Sequence, residues 1–202
     1  ILEGLEDNTA LSEMDREQLQ GEALFLRGFI HFYLSQLFGD IPYVTRTDYR
    51  DNAQIGKLGG SEIYEQLVAD LERAIDLLPE LYVTPDRVRV NRYAAMAFLA
   101  RAALYSGDRE RALTLSNDVL DRTDLYSWEE DLDEVFLKGS KGTLWQLKPV
   151  SSEGNTLEAQ TYIFESGPPI NQGALARSFM DGFAPGDQRA VHWTRGIANG
   201  TT

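Results

Sequence analysis

The stretch Leu104-Tyr105-Ser106-Gly107-Asp108-Arg109-Glu110-Arg111-Ala112 decides the fold. Before it lies an alanine-rich segment, with Ala94, Ala95, Ala97, Ala100, Ala102 and Ala103, which Asn91 can cap. After it, Ala112, Leu115, Ser116, Val119 and Leu120 fall on one helical face. Gly107 ends the first helix, Asp108 caps the second, and Ala112 is small enough to let the second nest on the first. The spacing therefore predicts an antiparallel helical hairpin.

Two further helices are predicted upstream. Ser12 and Asp15 form an S-x-x-D start, an N-cap with an acid that complements the helix N-terminus. That helix should run to about Phe38, before Gly39 and Pro42 stop it. Leu26, Phe29, Ile30, Tyr33 and Leu37 make an apolar stripe, which Phe25 and Phe32 widen, so most sides should be covered. After a connection over 43–60, a helix from about Ser61 to Pro79 carries Ile63, Leu67, Leu71, Ala74 and Leu78 on its inner face. The Leu104–Ala112 turn resembles that of a tetratricopeptide repeat, in which a bulky aromatic packs inward. The first two helices resemble a degenerate second copy with a long insertion. Residues 13–123 are expected to be a mainly α scaffold of tetratricopeptide-repeat-like hairpins.

From Tyr126 onward helical periodicity fades, and 126–202 reads as a loop-rich portion. Within it, Thr143 to Leu147 suits a short strand, 151–174 suits long loops, and Leu175 to Phe183 suits a short helix.

Composition narrows the function. The 202 residues carry a formal net charge of -13, which repels phosphates and anionic headgroups but is compatible with uncharged sugars. There are no cysteines, so disulfides, thiolate metal sites and cysteine nucleophiles drop out. His31 and His192 are far apart in sequence and do not suggest a shared site. No phosphate-cradling glycine motif occurs, and the acidic run Glu129, Glu130, Asp131, Asp133, Glu134 lacks the calcium-loop pattern, reading instead as a solvated helix face. No metal or cofactor is expected, and no catalytic motif is recognisable. Asn199-Gly200-Thr201 fits the glycosylation triplet, a pattern that arises by chance.

Arg27, on an apolar helix, could hold a ligand carboxylate but is expected to form an internal ion pair or cap neighbouring carbonyls, and His31, among aromatics, is expected to be packed in the core. Trp145, Tyr162, Phe164 and Trp193 in the tail have Asn155, Gln160, Asn171 and Gln172 near them in sequence. Sugars stack C–H faces on rings and need amide or carboxylate partners for their hydroxyls, and loops on a rigid scaffold present such groups. Trp145 is expected in the core. Tyr162 and Trp193 are the candidate ligand-binding residues.

An ordered set of segments resembles the SusD-like (RagB/SusD) family of outer-membrane nutrient-binding lipoproteins. Glu22-Ala23-Leu24-Phe25-Leu26-Arg27-Gly28-Phe29-Ile30-His31-Phe32-Tyr33 with Leu37-Phe38-Gly39-Asp40-Ile41-Pro42-Tyr43-Val44 is similar to the family's E-A-x-F-L-R-A-F-x-Y-F helix and F-G-D-V-P-L-V exit. Ser61-Glu62-Ile63-Tyr64, Ala69-Asp70-Leu71-Glu72, the alanine-rich helix and Asp187-Gln188-Arg189 follow in order. Gly28 stands where Ala is usual. Family members are longer, so 1–202 is expected to be a partial SusD-like domain without its signal peptide, lipidated cysteine or C-terminal region. The resemblance implies cell-surface carbohydrate (glycan) binding for polysaccharide utilisation and nutrient uptake, not an enzyme. It implies lipid anchoring in the outer membrane and delivery to a TonB-dependent transporter. The alternatives are a helical-repeat protein–protein interaction scaffold and, more remotely, an α-helical glycoside hydrolase.

Overall fold

The structure is a computed structural model that describes residues 1–6, 8–148, 156–164, 167 and 173–197. It divides into two compact units, one of Ile1–Ser127 with Thr143–Gln146, the other of Trp128–Gly142 with Leu147–Thr202. No named strand occurs among the described residues, where the only ladder contact is an isolated antiparallel bridge between Ile41 and Leu58.

In the first unit a short α1 (Leu2–Glu6) precedes α2 (Glu13–Phe38), a turn of helix α3 (Tyr49–Asn52), α4 (Gly60–Leu77), α5 (Arg92–Ser106) and α6 (Arg109–Leu120). The ends follow the chemistry of their capping residues. Ser12 Oγ accepts from the Asp15 N–H at 3.1 Å, Asn91 Oδ1 from Ala94 at 2.9 Å and Asp108 Oδ1 from Arg111 at 3.1 Å. Gly107 has φ of 90°, a left-handed helix stop that a side chain would strain. α2 packs on α4, α4 on α5, and α5 on α6. These are the hairpins expected over 13–123.

Ile63, Leu67, Leu71, Ala74 and Leu78 are all at most 2% exposed, as the periodicity of α4 requires. Ala95, Ala102 and Ala103 are fully buried, so the small face of α5 lets its neighbours close in. Phe25, Phe32 and Phe98 are buried and Phe29 packs against them.

The inner face of α2 differs from the expected stripe. Gln18, Gly21, Leu24, Phe25, Gly28, His31 and Phe32 are buried, whereas Leu26, Ile30 and Leu37 are exposed. A helix that is apolar nearly all round does not reveal its inner side by hydrophobicity. The glycines decide it: a methyl at Gly21 would lie 2.8 Å from Leu78 Cγ, and one at Gly28 would lie 3.1 Å from Leu71 Cγ. Tyr105 also departs from expectation. It is exposed, with its ring edge-on to Phe32 at 5.3 Å. Leu120, placed on the inner face of α6, is exposed as well.

Thr143 to Leu147 is not a strand. One backbone bond, Gln146 N–H to Arg87 O at 3.1 Å, joins 143–146 to the α4–α5 connection, and one bond makes no ladder. Side chains hold it instead: the Trp145 indole donates to Val88 O at 3.0 Å and sits edge-on to Phe25 and Phe29.

In the second unit, α7 (Leu157–Tyr162) lies within the stretch expected as loop, α8 (Arg177–Met180) occupies part of the expected 175–183 helix, and α9 (Arg189–His192) follows. The acidic run is not helical but leads into turns, with Asp131 Oδ1 accepting from the Asp133 N–H at 2.9 Å. A short acid that bonds the backbone N–H two residues on favours a turn over a helix ladder. Asn155, Asn171, Gln172 and the Asn199-Gly200-Thr201 triplet lie outside the described residues.

Candidate functional site

A buried polar lock underlies the α2–α4 pairing. The Arg27 guanidinium donates from Nε and Nη2 to the two oxygens of Asp70 at 2.6 and 2.5 Å. The Tyr43 hydroxyl donates to the same carboxylate at 2.7 Å, and burial, reinforced by this acceptor, pushes its phenol well above its ordinary value. The bond to Asp70 holds the Arg27 guanidinium above its usual range. His31 stacks on the Tyr43 ring at 4.0 Å. Its Nε2 accepts from the Val44 N–H at 3.3 Å, so Nδ1 carries the proton given to Arg27 O at 2.8 Å. Arg27 and His31 thus have the internal roles expected of them. Both Asp70 oxygens, the Tyr43 hydroxyl and both His31 nitrogens face protein partners, so the work of the lock is to fix two helices.

The tail aromatics separate by environment. Trp145 belongs to the core of the first unit. Trp193 belongs to the second unit, just after α9. Its indole N–H donates to Leu132 O at 2.9 Å, which fixes the ring while leaving it 41% exposed. Phe136 lies beside it, 78% exposed, with ring centroids 5.1 Å apart and planes inclined by 59°. His192 Nδ1 is 3.0 Å from Asp133 Oδ1, so the residues next to both rings are tied together. An aromatic pair open to solvent, anchored through one indole N–H and edged by a carboxylate and an imidazole, presents apolar faces and hydrogen-bonding groups together.

Sequence reasoning named Trp193 as a candidate, set Asp133 and His192 aside as a solvated face and an isolated histidine, and did not name Phe136. The signal available was thin, since Phe136 follows an acidic run 57 positions before Trp193 and nothing local links them. Tyr162 sits at the end of α7 and is 71% exposed. No hydrogen bond or ring contact joins it to Trp193 among the described residues. Phe164 is half-buried. Asp187 and Arg189 form a local ion pair at 2.5 Å, which holds the Asp187 carboxyl below its usual range. Among the described residues no group of three or more His, Asp or Glu side chains is arranged to hold a metal ion.

The comparisons with known proteins agree in direction. A SusD-like family profile described as "Starch-binding associating with outer membrane" matches residues 1–104. The SusD-like protein P2 of Formosa agariphila is 30% identical over 145 residues, covering 66% of this chain and 28% of that protein. The surface glycan-binding protein A of Bacteroides fluxus superposes with a TM-score of 0.73 at 24% identity, covering 95% of this chain and 45% of that one. A SusD-like carbohydrate-binding protein from Bacteroides vulgatus gives a TM-score of 0.61 at 27% identity, with 71% and 33% covered. The chain therefore spans about a quarter of the length of the curated relatives it matches. With a profile match over half of its residues and a helical scaffold built as theirs is, the chain belongs to the SusD-like family.

Proposed function

We propose that this chain forms part of a cell-surface protein that binds carbohydrate for nutrient uptake. The full-length protein is lipid-anchored in the outer membrane and delivers glycan to a TonB-dependent transporter. The observation that carries the reading is the solvent-open Phe136–Trp193 pair with His192 and Asp133 beside it. A partly wetted aromatic surface suits the C–H face of a pyranose, which can stack on either of the two inclined rings. The family profile supports the outer-membrane setting, and the net charge of -13 favours uncharged glycans. Tyr162 is a second, separate contact in this reading, set on an exposed helix end.

The reading is of a binder that does not turn its ligand over. The test is native electrophoresis in gels containing soluble starch, laminarin, xylan or mannan, with Trp193→Ala as control. Retardation by at least one glycan, weakened in the variant, is the expected result. Free mobility in all four gels would overturn the reading. So would glycan cleavage that disappears on changing a single Asp or Glu.

One observation favours the other reading, a helical-repeat scaffold that binds protein. Leu26, Ile30 and Leu37 stand exposed along α2. Mobility unaffected by every glycan, with a polypeptide captured through Ile30, would select it.

A further inference from the structure

The α2–α4 connection forms a second concave surface, remote in sequence from the aromatic pair. Its ends are pinned by the Ile41–Leu58 bridge, with Leu58 N–H donating to Ile41 O at 2.9 Å. Between them Asp48 caps α3 through a 2.8 Å bond from the Arg50 N–H. Asn52 Nδ2 donates across the loop to Arg46 O at 2.9 Å. The loop is therefore built, and together with α4 it borders an open hollow of about 460 Å³.

The lining is of mixed character. Ile55 and Leu58 supply an apolar wall, while Arg46, Asp51, Asn52 and Gln66 supply donors and acceptors. Asn52 Oδ1 is enclosed and accepts no hydrogen bond from any described residue. That oxygen is closed off from the pocket, which leaves the side chains of Arg46, Asp51 and Gln66 to meet a ligand. Arg46 and Asp51 stand 3.8 Å apart with both side chains more than half exposed. Such a loose pair can open to a ligand that offers donor and acceptor together. Gln66 on α4 faces the same space with an amide bonded to no described residue. Hydroxyls that both donate and accept match this set, and an apolar ring face matches the wall.

We infer that this pocket is a second sugar site, sized for one or two neutral pyranose residues and independent of the Phe136–Trp193 pair. The inference rests on the glycan-binding reading and relocates part of the affinity to the helical unit. Sugar binding expected only in the loop-rich tail then has a partner among the repeats.

The test is saturation-transfer NMR on the 202-residue chain with the methyl glycosides of glucose, galactose, mannose and N-acetylglucosamine as probes. Transfer to at least one probe is expected to persist in Trp193→Ala. It should fall about tenfold when Asp51→Ala or Gln66→Ala is added to Trp193→Ala, the effect of losing one or two ligand hydrogen bonds. Both changed residues are exposed, so the fold survives, and circular dichroism checks it. Transfer that vanishes in Trp193→Ala, or that persists there undiminished by either pocket change, overturns the second site and leaves the glycan reading intact. Transfer to none of the four probes also overturns it, while gel retardation by a polysaccharide then still upholds that reading.

Discussion

Arg27 and Asp70, 43 positions apart, meet as a two-point ion pair with only 20% and 10% of their side chains exposed. The pair lies where α2 crosses α4 and gives the two helices one permitted register. Around it Tyr43 and His31 spend their remaining polar atoms on Asp70, Arg27 O and the Val44 N–H.

Breaking the pair on one side should cost more than removing it. Asp70→Ala leaves a mostly buried guanidinium and the Tyr43 hydroxyl without their acceptor, a loss of about 3 kcal/mol. The double variant Arg27→Met with Asp70→Leu removes both charges and should recover much of that. Urea unfolding measures both. Equal destabilisation by the two would show that packing, not charge, dominates this crossing.

The glycines of α2 make the next prediction. At Gly21 an added methyl meets Leu78 Cγ at 2.8 Å and Leu77 Cβ at 3.3 Å, so Gly21→Ala must push α4 away. Overpacking of this kind costs about 1–3 kcal/mol, against about 1 kcal/mol returned by helix propensity. At Gly28 the contacts are 3.1 and 3.3 Å to the end of Leu71 and 3.4 Å to Leu67 O. Gly28→Ala should be close to neutral, since a leucine end can yield by a few tenths of an ångström. A thermal midpoint that falls as far for Gly28→Ala as for Gly21→Ala would contradict this ordering.

These glycines also mark what a sequence can and cannot disclose. Helices with one apolar face were legible: α4 buries the five residues its period names, and Asn91, Asp108 and Gly107 cap and end α5 and α6 as their chemistry dictates. In α2 the pattern is apolar all round, and the stripe through Leu26 and Ile30 looked inner because hydrophobicity cannot register a face buried through glycine. Trp145 was legible as core, but its segment was not legible as strand-free, because side-chain bonds such as those from Trp145 to Val88 O and from Gln146 to Asp86 O replace a ladder. In the candidate site Trp193 was visible as an aromatic among polar residues. Phe136 was not, since only the fold brings it within 5.1 Å.

Ala112 tests the hairpin directly. It is buried on α6 where that helix meets α5. Ala112→Leu inserts three carbons into this contact and should cost about 1–3 kcal/mol. A chemical-denaturation midpoint equal to that of the parent would argue that the two helices are not closely nested.

Tyr43 should make stability depend on alkaline pH. Its folded-state value is raised, chiefly by burial and then by Asp70, so the native state keeps the phenol proton after the unfolded chain has lost it. Its contribution is fully present below about pH 10, the ordinary tyrosine value, and is lost as pH rises beyond it. Tyr82, also raised mainly by burial, acts in the same direction. Urea midpoints taken from about pH 8 to about pH 11 should fall at the alkaline end, and less steeply in Tyr43→Phe. Parallel curves for the two proteins would remove Tyr43 as a source of the slope.

The aromatic pair yields the sharpest functional prediction. Phe136 is 78% exposed and Trp193 spends its one polar atom on Leu132 O, so the two changes test different things. Phe136→Ala removes a ring that makes little of the fold, and should leave the urea midpoint within about 0.5 kcal/mol of the parent. If the pair is a sugar platform, the same change weakens glycan binding by about 1–3 kcal/mol, the range for aromatic stacking on nucleobases. Trp193→Ala removes both a ring and an anchor of the 131–136 segment, so it should lower affinity further and also cost some stability. Tyr162→Ala, on a separate exposed helix end, should add its loss to that of Phe136→Ala, because groups without shared contacts combine independently. Calorimetry with whichever polysaccharide retards the parent chain reads all three. Unchanged affinity in Phe136→Ala, with Trp193→Ala losing only stability, would mean that the pair closes the second unit and that the ligand is held elsewhere.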